Sequence, residues 1–259
     1  MDLIQVDELR LYMGEDIKIA DGVVLKSPII QDIMDYGEQQ YFLMAQTLCA
    51  TPSSVKTKLD DMKLDWMQVE DFQLFAMLCQ SLTPEQTYPL LGDLNLSELH
   101  LYPKSETGEV ILANKDRTIE INEVIYNVLV TYLRKMHGLK KQVDKAGNST
   151  THKMLLKLAR QDEKMAKNQP HKSFLLQMIS SVKCRMQYTT EYIKNMTIFE
   201  LIHDLNRLNI IVQADAALSG AYSGFCDVSK MDKKILDWTR DISEELKNNN
   251  KTILNEGAN

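Results

Sequence analysis

Long apolar runs are missing from this 259-residue sequence. The most apolar stretch, residues 208–222, is interrupted by Gln213 and Asp215, which argues against a membrane-spanning helix of about 20 residues. The first residues, MDLIQVDELRLYM, are acidic and lack the basic segment of a secretion signal. We therefore expect no membrane association and no export.

Metal-ligating residues are few and scattered. No two of the five histidines are three to five residues apart, so the helical pairing typical of zinc sites is missing. His203, next to Asp204, is expected at the surface. The four cysteines lack metal or redox spacing and lie among apolar residues, which favours reduced core cysteines in a cytosolic protein. These cysteines are Cys49, Cys79, Cys184 and Cys226. We predict no metal and no cofactor.

Catalytic signatures are also missing. The sequence has no G-x-S-x-G motif and no glycine-rich nucleotide loop. Adjacent carboxylates at 60–61, 70–71 and 244–245 are typical of solvated helix starts and faces. Nothing in the sequence supports catalysis, so we predict a protein that is not an enzyme. An enzyme whose site is assembled from residues distant in sequence stays open as an alternative.

Positive charge is concentrated in one part of the chain. Residues 1–132 hold 22 acidic and 9 basic side chains (net −13), residues 133–172 hold 3 and 11 (net +8), and residues 173–259 hold 11 and 10 (net −1), which gives the total of −6. This asymmetry predicts a basic element on an acidic body.

The basic residues 134–172 include a predicted amphipathic helix, residues 148–168. Its apolar stripe is Met154, Leu155, Leu158 and Met165. The basic residues that we take as candidate partner-binding residues are Lys153, Lys157, Arg160, Lys164 and Lys167. Three interpretations are open: a solvated face, a surface for an acidic protein partner, or a nucleic-acid-binding module. The lack of interleaved aromatic residues and a pI near 5.5 make nucleic acid the least favoured.

The periodicity of apolar residues predicts an α+β fold that is predominantly α. Predicted strands cover residues 9–13, 16–20, 22–26, 97–102, 109–114 and 117–122, with residues 104–108 as a turn. Predicted helices cover residues 29–50, 53–62, 69–82, 84–91, 123–137, 148–168, 173–196, 197–220 and 231–247. This gives a mixed part, residues 1–145, with a small N-terminal β element, followed by a helical bundle, residues 146–259, with a frayed tail.

Two of only ten glycines lie in the segment SGAYSGFCDVSKMDKKILDW, residues 219–238. Gly220 stands where helix 197–220 should end, in a left-handed conformation, and Gly224 allows a second turn. A phosphate loop would follow a strand rather than a helix. We therefore interpret the segment as a structural joint.

Methionine is frequent, with 14 residues. Many of them fall on predicted apolar faces, where methionine serves either as ordinary core filler or as an adaptable contact for varied partners.

Several stretches resemble tail-module proteins of phages and prophages of Gram-positive bacteria, often described as tail assembly chaperones or uncharacterised structural proteins. The similar stretches are residues 27–53, WMQVEDFQLFAML (66–78), LLGDLNLSELHLY (90–102), YNVLVTYLRKMHGLKKQVDKAGN (126–148) and residues 219–238. The resemblance implies a protein of the host cytoplasm that binds tail components during assembly, notably the long helical tape-measure protein. In that setting the joint, with Tyr222 and Phe225, would fix the last helix and Trp238 against the bundle.

Other functions stay open at this stage. The protein could remain in the virion as a tail or connector component, or it could bind nucleic acid through residues 134–172. Self-association is a further expectation. No catalytic or metal-binding residue can be assigned from the resemblance.

Overall fold

A computed structural model describes residues 5–103, 110–167, 172–223 and 233–242. The described chain is predominantly helical with two small antiparallel sheets, which confirms the predicted α+β class. The first sheet pairs β1 (Ile17–Ala20) with β2 (Val23–Leu25). The second has the order β3 (His100–Pro103), β4 (Val110–Ala113), β5 (Glu120–Ile121). The predicted turn at 104–108 lies outside the described residues.

The first predicted strand, residues 9–13, is wrong. The chain forms a short helix, α1 (Glu8–Tyr12), because the Asp7 carboxylate accepts a hydrogen bond from the Arg10 amide at 3.2 Å and caps the first turn. Leu11 is buried. Alternating apolar residues over five positions suit one helical turn as well as a strand.

The helix predicted over residues 29–50 is two helices. α2 (Ile30–Tyr36) and α3 (Glu38–Leu48) meet at Gly37, whose φ of 104° lies outside the helical region. The next helices of the N-terminal part match the predicted ones: α4 (Lys56–Asp61), α5 (Asp71–Cys79), α6 (Pro84–Leu91) and α7 (Glu123–Met136). α6 has the predicted bounds, and the other three are shorter than predicted.

Local signals fix both ends of α7. The Asn122 side chain accepts from the Ile125 amide at 2.9 Å, and Gly138 follows the last turn with a φ of 63°. Both ends confirm the prediction.

The helices after residue 145 are α8 (Ser149–Lys167), α9 (Phe174–Met186), α10 (Thr190–Asn195) and α11 (Ile198–Tyr222). The single helix predicted over residues 173–196 is broken because Gln187 takes a left-handed conformation. The last predicted helix, residues 231–247, is wrong within the described residues 233–242, which begin with a 3₁₀ turn at Lys233–Leu236.

One large core continues across the predicted boundary at residue 145. Its buried residues run from Leu11 to Leu208. An antiparallel bridge joins Ile29 to Thr197, with the Ile30 amide donating to the Met196 carbonyl at 2.9 Å. The start of α2 is therefore bonded to the start of α11. In the described chain, strands occur only before residue 145. The domain boundary at residue 145 stays a prediction.

Candidate protein-binding surface

The basic helix α8 lies on α4 through one narrow face. Leu156 is buried in a small cluster with Leu59, Trp66, Leu74 and Ala50. This cluster is separate from the large core. α8 is therefore attached to the acidic body at its edge.

Three side-chain contacts, one ring stack and two polar contacts, set the direction of α8. The His152 ring stacks on the Trp66 ring with centroids 5.4 Å apart. Arg160 pairs with Asp60 and Asp61, each at 2.7 Å. The Thr57 hydroxyl donates to the Glu163 carboxylate. Because contacts along α8 meet α4 in reverse order, the two helices run antiparallel.

The segment before α8 is anchored as well. The Thr51 hydroxyl donates to the Gln142 carbonyl at 2.8 Å, and the Asp144 amide donates to the Ser53 hydroxyl at 3.0 Å. Asp144 also forms an ion pair with the buried Lys56. These bonds fix residues 142–144 on the body, five to seven residues before α8 begins.

The structure divides the predicted partner-binding residues. Lys153, Lys157 and Lys164 are exposed and form no ion pair or hydrogen bond within the described part of the chain. Arg160 is different, because Asp60 and Asp61 already neutralise it. Lys167 is the last residue of α8, and its side chain lies outside what the structure describes. The free basic row is therefore formed by three lysines.

The predicted apolar stripe of α8 lies mostly in solvent. Met154 is 61% exposed, Met165 58% and Leu158 44%, whereas Leu156 is buried. The reason is geometric: residues 152, 156, 160 and 163 lie on one side of the helix and face α4, whereas 154, 158 and 165 lie on the other. Leu155 lies between them and is partly buried.

A groove lies beside α4, between α3, α5 and the segment after α7. Its volume is about 660 Å³. Leu59, Leu74 and Leu78 are among the lining residues, and the exposed rim includes Leu43, Met62 and Met77 at 62%, 59% and 38% exposure. Sequence reasoning missed this groove, because three consecutive helices form it together with residues that follow α7.

The hydroxyl groups in the groove are already bonded within the protein. Thr47 donates to the Leu43 carbonyl, Thr51 to the Gln142 carbonyl and Ser54 to the Thr51 carbonyl, each at 2.8 Å. The groove therefore offers mainly apolar contact surface to a partner. Lys58, at its edge, has no ion pair or hydrogen bond within residues that the structure describes.

The methionines divide between core and surface. Met136, Met178 and Met196 are buried, as expected for core filler. Among the described residues, the exposed methionines are Met13, Met34, Met62, Met67, Met77, Met154, Met165 and Met186. Exposed methionines thus occur both at the groove and on α8.

Comparison with known proteins gives one finding. Residues 166–243 match the family model described as the YomV second domain, which is a phage-associated family. This is a phage-related protein. Neither the curated proteins nor the solved structures contain a match to it.

The matched segment of this phage-related protein spans α9, α10 and α11.

A buried carboxylate links α11 to α1. Asp204 of α11 accepts from the Tyr12 hydroxyl at 2.9 Å and from the Tyr188 hydroxyl at 3.2 Å. Burial raises the pKa of Asp204, but the neighbouring His203 ring and then the two tyrosine hydroxyls lower it, so that the pKa lies below its usual value. His203, predicted at the surface, is half-buried and packs edge-on against Tyr12.

The predicted joint differs from the structure at Gly220. α11 continues through Gly220 to Tyr222, so the helix end predicted at Gly220 is wrong. A helical glycine needs no left-handed conformation, and Ser223 caps the helix instead. Gly224 and Phe225 lie outside the described residues. Tyr222 is 88% exposed.

Trp238 is held by its backbone rather than by its ring. Its carbonyl accepts from Arg207 of α11 at 2.7 Å, while the residue is 57% exposed. Trp238 therefore contacts α11 through its backbone, and the expectation that the joint fixes this residue against the bundle stays a prediction.

Two cysteine thiols of the core are buried away from solvent. Burial raises the pKa of the Cys49 and Cys79 thiols to about 12. Cys184 is exposed, contrary to the expectation of a core cysteine, and Cys226 lies outside the described residues.

Within the described chain, no group of three or more acidic, histidine or cysteine side chains could hold a metal. No described helix has the length and apolarity needed to cross a membrane.

Proposed function

We propose that this phage-related protein is a non-enzymatic binding protein of tail assembly. It holds an apolar helix face of a tail component, such as the tape-measure protein, while the tail is built in the host cytoplasm. The observation that carries the proposal is the groove of about 660 Å³ between α3, α4 and α5.

The groove supports this function through its shape and chemistry. Helix-in-groove binding needs an apolar channel that receives side chains from one face of the partner helix. Leu43, Met62 and Met77 border such a channel. Two of these are methionines, whose flexible side chains repack against different partners. A chaperone that receives successive segments of a long helical client benefits from that adaptability.

The test is co-purification with the tape-measure protein of the same phage. We expect the double variant Leu43→Asp, Met62→Asp to lose the complex, because burying two carboxylates in an apolar contact is unfavourable. Both positions are exposed in the free protein, so its thermal unfolding should change little. The matched control is Val124→Asp, which is 67% exposed on α7, away from the groove.

Size-exclusion chromatography with native mass spectrometry measures the complex. A complex that forms equally with the groove variant and the control contradicts the proposal. Mass spectrometry of purified particles separates a transient chaperone from a virion component, because only the latter remains in the mature tail.

A further inference from the structure

The outer side of α8 carries two parallel rows of side chains. The exposed apolar row is Met154, Leu158 and Met165. The lysine row is Lys153, Lys157 and Lys164, each one residue before an apolar member. Spacings of four and seven residues keep each row on one side of the helix, over about 16 Å at 1.5 Å per residue.

The lysine row is not needed to hold α8 in place. The contacts of α8 with α4 and its flanking residues come from His152, Leu155, Leu156, Arg160 and Glu163. The three lysines instead line one shallow depression together with Leu156, Gln161 and the ion pair of Arg160 with Asp60. Their charges therefore add up on one surface, and Arg160, already paired, contributes little to it.

Two rows of different chemistry restrict what can bind. Nucleic acid would use the lysines but not the apolar row, and α8 has no exposed aromatic ring on which a base could stack. A membrane surface would need a wider apolar face with Trp or Phe, whereas α8 offers three aliphatic side chains. An amphipathic helix with an acidic flank complements both rows at once, as in coiled coils whose flanking charges select the partner.

We propose that the outer face of α8 binds an acidic amphipathic helix of a protein partner. The apolar row packs against the apolar row of that helix, and the lysine row pairs with carboxylates beside it. This inference rests on the proposed function as a binding protein, but it assigns a second surface, separate from the groove, and the chemistry of its ligand.

The probe is a fluorescein-labelled synthetic helical peptide with leucines at positions i, i+4 and i+11 and glutamates in the neighbouring row. A second peptide carries lysines in place of the glutamates. Fluorescence anisotropy of each peptide with the whole chain gives Kd. We expect the acidic peptide to bind at least tenfold more tightly than the basic one.

Two triple variants test the lysine row. Lys153→Glu, Lys157→Glu, Lys164→Glu should weaken the acidic peptide at least tenfold and should now favour the basic peptide. The control Lys63→Glu, Lys115→Glu, Lys233→Glu changes the net charge equally at exposed lysines elsewhere and should leave Kd within twofold. Met154→Ser with Leu158→Ser tests the apolar row and should weaken the acidic peptide without reversing the charge preference.

Three results would overturn the inference: no preference for the acidic peptide, equal losses in the two lysine triples, or tighter binding of a DNA duplex or of anionic phosphatidylserine vesicles through the same lysines. The groove variant Leu43→Asp, Met62→Asp should bind the acidic peptide normally. Failure at the groove and failure at α8 are thereby distinguished.

Discussion

α7 and α8 are both strongly amphipathic in sequence, yet the fold buries the apolar face of α7 and leaves most of that of α8 exposed. α7 buries its apolar side in the large core through Tyr126, Leu129, Val130, Leu133 and Met136. α8 buries Leu156 in a small cluster and leaves Met154, Leu158 and Met165 exposed. The comparison teaches that apolar periodicity predicts a face but not what covers it.

The largest expected effect compares how much one buried leucine of each helix contributes to stability. Leu133→Ala should lower the free energy of unfolding by about 4 kcal/mol, because the position is fully buried and its cavity cannot collapse. Leu156→Ala should cost about 2 kcal/mol, the lower end of the range, because α8 lies at an edge and can move inward. Urea unfolding of both variants measures the difference. Equal losses would show that α8 is as firmly embedded as α7.

The second-largest effect is a loss of stability in acid, which arises at the C-terminal end of α7. His137 is buried; its Nε2 accepts a hydrogen bond from the Tyr41 hydroxyl at 2.7 Å, and its Nδ1 donates to the Leu133 carbonyl. Burial lowers the pKa of His137 from 6.5 to about 4. The folded protein therefore keeps a neutral imidazole where the unfolded chain takes up a proton.

The sign of the pH effect follows from this difference. The contribution of His137 is fully retained above pH 6.5 and is lost as pH falls toward about 4, by about 3 kcal/mol in total. Urea unfolding of the wild type and of His137→Gln across this range measures it, and the variant should lose less stability in acid. The control is His100→Gln at an exposed position. The same acid dependence in wild type and His137→Gln would refute the assignment.

The smallest expected effect concerns two glycines at helix ends. Gly138 ends α7 with a φ of 63°, so Gly138→Ala should destabilise the protein by about 1 kcal/mol. Gly220 lies within α11, so Gly220→Ala should stabilise it by about 0.5 kcal/mol. Thermal unfolding gives both signs. A loss of stability in both variants would restore the predicted joint at Gly220.

Local signals in the sequence predicted much of the fold. Asn122 and Thr197 cap their helices as expected, because a side-chain oxygen reaches an amide three residues later in the same turn. Gly37 was not recognised as a helix break, since an isolated glycine within a helical pattern is tolerated in many helices.

The candidate site was predicted only in part. The lysine row of α8 follows from spacing within one helix, so the sequence alone was sufficient to find it. Pairing of Arg160 with Asp60 and Asp61 was missed because it joins residues about 100 positions apart. The groove was missed because its surface exists only after α3, α4 and α5 have packed together with residues that follow α7.

The bridge between Ile29 and Thr197 has a consequence for the order of events during synthesis. The Ile30 amide has its acceptor in Met196, which leaves the ribosome long after the first sheet and α2 have been made. Contacts of such high sequence separation slow folding, because a long loop must close before they form. The core of the amino-terminal half therefore cannot be completed during synthesis until α11 has been made.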